Sequence, residues 1–149
     1  MPIKMKTSKR SIAAQLEAVA RAKLRAVANV FCYVGEQCIV EARDGGSYTD
    51  QTGNLRSSIG YAVLMNGQVI RSDQVEKVKD GGEGISEGNK YLQERIEKAS
   101  KKGVVLIVAA GMNYAEYVEA KGYTVLSSAE LKAPTLVKQL LTQLGFTCR

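Results

Sequence analysis

Histidine and tryptophan are absent from this chain, proline and phenylalanine each occur twice, and cysteine occurs three times. Without histidine, the Ser–His and Cys–His nucleophile pairs and every imidazole-based metal site are excluded. With so few large aromatics the core has to be aliphatic, built from Leu, Ile, Val and Ala. Cys32, Cys38 and Cys148 are odd in number. The first two are six residues apart, which on a helix turns them roughly 120° away from each other, so a local bridge is not expected. Inert thiols in a reducing compartment are the better reading. No apolar run approaches the ~20 residues a membrane helix needs. The N-terminal segment lacks the apolar stretch of a secretory signal. Its arginines and amphipathic pattern also suit a mitochondrial-type presequence. Because it runs unbroken into a longer helical pattern, the chain is expected to be cytoplasmic and unprocessed.

What remains is the material of one ordinary domain spanning 1–149. Hydrophobic residues make up 45% and charged residues 24% of 149 positions, enough apolar surface for a real core. The charge is unevenly placed. Up to Arg25 there are Lys4, Lys6, Lys9, Arg10, Arg21, Lys23 and Arg25 against the single acid Glu17, which accounts for the whole net charge of +6. Such a cluster attracts polyanions by neutralising phosphates and releasing counterions. It equally suits an arm meeting an acidic patch on a protein neighbour. Lys4, Lys6, Lys9 and Arg10, within a basic and flexible arm over 1–10, are the candidate contacts for either partner. No aromatic interleaving or helix-turn-helix pattern supports sequence-specific nucleic-acid recognition.

Local patterns predict an α+β domain with a long N-terminal helix, a C-terminal helix and a small sheet. Over 8–42 there is no proline and one glycine, Gly35. Apolar residues recur at Ile12, Leu16, Ala20, Leu24, Val27, Phe31, Val34 and Cys38, one continuous helical stripe. Such a helix reaches about 50 Å, more than a domain of this size needs for its own packing. Gly45 and Gly46 are expected to end it. Asp50 or Thr52 can then cap a helical turn carrying Leu55 and Ile59 on one face. A strand over 58–65, an Asn66-Gly67 turn and a strand over 68–72 read as a hairpin, because both turn positions need positive φ. The polar, glycine-bearing stretch 73–88 is expected to be a mobile loop. A surface helix over 90–101 follows, stopped by Gly103. The apolar run 104–110 is expected to be the central strand. A short helix over 112–120, a short strand over 123–126 and a final helix to about Leu144 complete the chain. Ser127 and Glu130 form a capping-box pattern at the start of that helix, Pro134 is expected to kink or split it, and Gly145 to end it.

Nothing in this layout converges on chemistry, and no catalytic residue, cofactor or metal site is expected. Glu83 and Glu87 fall in the predicted loop, and Glu116 and Glu119 straddle a short helix as solvated acids. Gly81-Gly82-Glu83-Gly84 lacks the Gly-Lys-Ser/Thr of a phosphate loop, and Glu83 would repel phosphate. Cys38 reads as a core thiol. The tyrosines Tyr48, Tyr61, Tyr91, Tyr114, Tyr117 and Tyr123 read as core edges or interface anchors.

Two motifs carry a family resemblance. Thr52-Gly53-Asn54-Leu55-Arg56-Ser57-Ser58-Ile59, preceded by a long helix, resembles the Thr-Gly-X-Leu-Arg-X-Ser-Ile stretch of the head-to-tail joining and tail-completion family of long-tailed phages. Gly111-Met112-Asn113-Tyr114-Ala115-Glu116-Tyr117-Val118-Glu119, after the apolar run, is similar to the family's Tyr-Ala-x-Tyr-Val-Glu signature. Many members continue with Phe/Tyr-Gly-Thr, where this chain has Ala120-Lys121-Gly122-Tyr123-Thr124. With flanking elements the resemblance covers 8–144. It implies an α+β fold with a small antiparallel sheet flanked by helices. It also implies a virion subunit, assembled in the bacterial cytoplasm into a ring, commonly six-fold. That ring would sit among connector, tail-terminator or tail-tube proteins with DNA passing through its lumen. Thr52, Gly53, Asn54, Leu55, Arg56, Ser58, Ile59, Tyr114, Ala115, Tyr117, Val118 and Glu119 are then fold and interface residues. For the two tyrosines, core packing and ring interface both remain open. The competing reading is a basic nucleic-acid-binding module acting through the N-terminal segment.

Overall fold

The computed structural model describes residues 2–4, 6, 8–73 and 80–147. It is an α+β arrangement in which a three-stranded antiparallel sheet is held between helices. The first helix, α1 (Lys9–Asp44), starts where the Ser8 hydroxyl accepts the Ser11 N–H at 3.1 Å, a standard N-cap. It ends where the Gly45 N–H reaches Glu41 O at 2.8 Å. Its predicted stripe divides in two. Leu16 is 66% exposed and continuous burial starts only at Ala28. Beyond that point α1 has two buried faces. Val30, Val34 and Cys38 pack on the last helix, and Cys32, Ile39 and Ala42 pack against the sheet.

The single turn α2 (Asn54–Ser57) leads into β1 (Ile59–Met65), and the Asn66-Gly67 turn returns the chain as β2 (Gln68–Asp73). Asn66 and Gly67 have φ of 51° and 83°, the left-handed pair a two-residue hairpin requires. The strand order is β2-β1-β3, where β3 is Val104–Ala110. The central strand is therefore β1, and the apolar run 104–110 is an edge. An uninterrupted apolar run signals that both faces of a strand are covered, and says nothing about strands on either side. Here Ile59, Tyr61 and Val63 face α1, while Ala62 and Leu64 face Leu92 and Ile96.

Those last two residues belong to α3 (Gly82–Lys98), which corrects two expectations. The stretch 82–88 is helix rather than loop, and the helix begins well before Lys90. Glycine's poor helix propensity is overridden because the backbone of α3 lies directly on the chain near Asn54 and Ser58. A Cβ on Gly84 would stand 2.1 Å from Asn54 O, and one on Gly88 2.7 Å from Ser58 O. The loop expectation for 74–79 lies outside the described residues.

After β3 come α4 (Ala115–Ala120) and α5 (Ser127–Gln143). The predicted strand at 123–126 is not formed, and Ser127 does not cap α5 through its side chain. The backbone N–H groups of Val125, Leu126 and Ser127 all point instead at one carboxylate oxygen of Glu119, so they are unavailable to a partner strand. Pro134 does not split α5, which runs unbroken. At its end Gly145 adopts φ 88°, with Gly145 N–H to Thr142 O and Phe146 N–H to Leu141 O both at 3.0 Å. This paired pattern satisfies carbonyls the helix leaves open.

Candidate functional site

The two resemblance-bearing motifs, more than fifty residues apart in sequence, meet at one junction. Asp50, only 6% exposed, organises the first. Its Oδ1 accepts the Gly53 N–H and its Oδ2 the Arg56 N–H, both at 2.9 Å, leaving Gly53 at φ 79°. The Thr52 hydroxyl accepts the Asn54 N–H at 3.3 Å. Leu55 and Ile59 enter the core. The Arg56 guanidinium lies 5.2 Å from the centre of the Tyr48 ring, and it donates to Gly46 O at 3.4 Å. Burial raises the Tyr48 hydroxyl pKa, against the opposing charge of Arg56.

Ser58 ties the first motif to the second. Its hydroxyl donates to Leu55 O at 2.7 Å and accepts the Met112 N–H at 3.3 Å, while its carbonyl accepts the Gly111 N–H at 3.1 Å. Asn54 ties the first motif to α3. Its Oδ1 accepts the Gly84 N–H and its Nδ2 donates to Glu83 Oε2, both at 3.2 Å. Glu83 is thus on a helix at this junction, not in a loop. A Cβ on Gly111 would come within 2.4 Å of Gly88 Cα. Three backbones therefore touch with no side chain between them, which only glycine permits.

The second motif sends Met112 and Ala115 inward and the two tyrosines outward. Tyr114 is 36% and Tyr117 62% exposed, so the core reading of both falls and the surface reading remains. Partial burial and the carboxylates of Asp50 and Glu83 push the Tyr114 hydroxyl pKa up. Lys121 stands 5.1 Å from the centre of the Tyr117 ring. Val118 is half-buried against the core.

Glu119 is no merely solvated acid. Its Oε1 accepts from Val125 at 3.1 Å, Leu126 at 2.6 Å and Ser127 at 2.8 Å. Burial alone would raise its pKa, but the hydrogen bonds from Leu126, Ser127 and Val125, with the Ser127 side chain, together hold it below the ordinary glutamate value. The charge also sits at the positive end of α5.

A second polar cluster links α1 to β1 and β2. Tyr61, fully buried, has its ring against the backbone of α1 at Gly35, where a Cβ would approach Tyr61 Cδ2 to 2.3 Å. Its hydroxyl donates to Glu36 at 3.3 Å, and Arg71 pairs with the same carboxylate oxygen. Burial, reinforced by Glu36, pushes the Tyr61 pKa up to about 12. Burial likewise raises the thiol pKa values of Cys32 and Cys38, so neither is poised as a thiolate. Both are free, and Cys148 lies outside the described residues. No group of three or more Cys, Asp or Glu that could hold a metal is found among the described residues.

The described basic residues of the arm, Lys4, Lys6, Lys9 and Arg10, are exposed and precede or open α1. Sequence reasoning missed the glycine contacts, the Glu119 cap and the Gly35–Tyr61 contact. The i, i+4 spacing of Gly84 and Gly88 was the available signal for the first. Comparison of the chain with family models, curated proteins and solved structures finds no match.

Proposed function

We propose that this chain is a structural subunit of a phage neck, closing into a ring that completes the tail end or joins head to tail and lets DNA pass. The observation that carries the reading is the joint built by the two resembling motifs. It fastens α2, the start of β1, α3 and the end of β3 into one rigid corner, and it presents Tyr114 and Tyr117 outward. Exposed tyrosines on a rigid support are well suited to bury against a protein neighbour, since they bring large area at little entropy cost. A second support is the half of α1 ahead of Ala28, which exposes Leu16 and Val19. A heterologous ring uses two different surfaces per subunit, and these are two such surfaces.

The test is assembly. Six subunits of 16.1 kDa give a particle of about 97 kDa, measurable by light scattering behind size exclusion, alone or with isolated tails. Antibody against the chain should label the neck of intact virions. A chain that is missing from virions and never joins tails or connectors would overturn the proposal. The exposed cluster Lys9, Arg10, Arg21, Lys23 and Arg25 along α1 favours one further reading, a nucleic-acid-binding module. That reading requires DNA affinity falling steeply with salt, and no binding at low salt removes it.

A further inference from the structure

The sheet has two edges, and they are treated differently by the sequence. The β2 edge carries Arg71 and a bulge, since the pairing shifts between Val63↔Arg71 and Leu64↔Val69. Charge and bulges are the usual protections of an exposed edge. The β3 edge, Val-Val-Leu-Ile-Val-Ala-Ala, has neither charge, proline nor glycine. Among the described residues, backbone hydrogen bonds join β3 to β1 alone. The flanking bonds Asn66 N–H to Gly103 O and Gly111 N–H to Ser58 O set the parity of the ladder. Residues 105, 107 and 109 therefore bond to β1, and Val104, Leu106, Val108 and Ala110 turn their backbone groups outward. Although helices cover both faces, six of the seven β3 residues stay partly exposed, whereas six of the seven in β1 are fully buried.

This open edge forms the floor between two adjoining clefts of about 520 and 410 Å³ that share Val108 and Leu126. The first is apolar, with Phe31, Leu106, Ala133 and Val137 in its lining. The second has Glu116 and Glu119 on one wall and Tyr91 and Arg95 on the other. The chain also contains a segment with the matching pattern. Ile3-Lys4-Met5-Lys6-Thr7 alternates apolar or neutral with basic residues, the period of a strand. Ile3 touches nothing in its own chain, being 101% exposed.

We propose that β3 accepts this N-terminal segment from a second copy of the chain as an added antiparallel or parallel strand. Ile3 would fill the apolar cleft, and Lys4 and Lys6 would face the cleft holding Glu116. The segment cannot serve its own subunit. The apolar cleft lies at the level of Phe31 to Cys38 on α1, at least about 33 Å along the helix from Lys9. Ile3, six residues ahead of Lys9, reaches back at most about 20 Å. The exposed start of α1 then acts as a spacer that delivers the strand to a neighbour. This deepens the ring reading by naming its link, and it rests on that reading only for self-association.

The test uses the full chain carrying a benzophenone amino acid at position 3, mixed from ordinary and ¹⁵N-labelled preparations and irradiated. Mixed-isotope crosslinks from position 3 to 104–110 or the cleft walls are expected. Crosslinks within one chain only, or to the β2 edge, overturn the proposal. Ile3 is fully exposed, so the substitution Ile3→Glu lies outside the core and leaves folding intact. It should weaken self-association by about a hundredfold, equivalent to about 2.7 kcal/mol. Reversal at Lys4→Glu should weaken it less and be restored by Glu116→Lys. Oligomers unaffected by Ile3→Glu, or a wild-type chain that stays monomeric at high concentration, overturn the arm link. If instead the arm-linked oligomer forms but binds neither tails nor connectors, the link stands and the neck reading falls.

Discussion

Replacing Glu119 tests how the second motif is built. One carboxylate oxygen accepts three successive backbone N–H groups where α5 begins. Glu119→Ala orphans those donors in a half-buried turn and removes a negative charge from the positive end of a helix. Loss of a cap costs about 0.5–2 kcal/mol, the dipole contribution is about 0.3–1 kcal/mol, and water recovers part of the loss at a partly exposed site. A net loss of about 2 kcal/mol is expected, or roughly 4–8 °C in Tm for a chain of this size. Glu119→Gln, which keeps an acceptor but no charge, should lose about half of that. The pH dependence supplies the sharper check. The folded-state pKa of Glu119 lies below the ordinary value of 4.5. Its contribution is therefore present above that value and is lost as pH falls through the lower, folded one. Urea midpoints for wild type and Glu119→Gln should differ most near neutrality and converge on acidification below 4.5. A gap that stays constant from neutral to acid pH, or a Glu119→Ala variant within about 0.5 kcal/mol of wild type, would show that the carboxylate is not what holds α5 in place.

Gly35→Ala should destabilise the chain by about 1–2 kcal/mol despite alanine's better helix propensity, because overpacking against the buried Tyr61 ring outweighs that gain. Denaturant unfolding measures it, and a stabilised variant would refute the packing argument. Gly88→Ala should cost about 2–3 kcal/mol, since the Cβ meets Ser58 backbone rather than a movable side chain; melting shifts of a degree or less would contradict this. Tyr61, with its pKa pushed up to about 12 from 10.0, stabilises the fold below pH 10 and loses that contribution as pH rises towards 12. In a base titration followed by circular dichroism, Tyr61→Phe should lack this contribution while losing about 1 kcal/mol at neutral pH for the hydrogen bond to Glu36. An unchanged alkaline transition would exclude Tyr61 as its source.

Local chemistry decided what could be read from sequence. The Asn66-Gly67 turn needs positive φ at two neighbouring residues, so the hairpin was legible. The period of the apolar residues placed α1, and Gly145 placed the end of α5. The absence of histidine removed whole classes of chemistry at once. What sequence could not state is which distant backbones touch. The helical start of α3 at Gly82 looks like a loop until the chain at Asn54 and Ser58 is laid against it, because glycine's local cost is offset by a contact that local pattern does not contain. Spacing points to Ser127 as the cap of α5, but Glu119, eight residues upstream of it, is the group that accepts the N–H bonds. The run 104–110 looked central because its side chains are apolar on both faces. Strand order depends on hydrogen bonds across the sheet, to which side-chain hydrophobicity is blind. The two motifs were visible separately as strings of residues, and only the tertiary fold made them a single corner, since Ser58 and Gly111 meet through backbone groups that every sequence possesses.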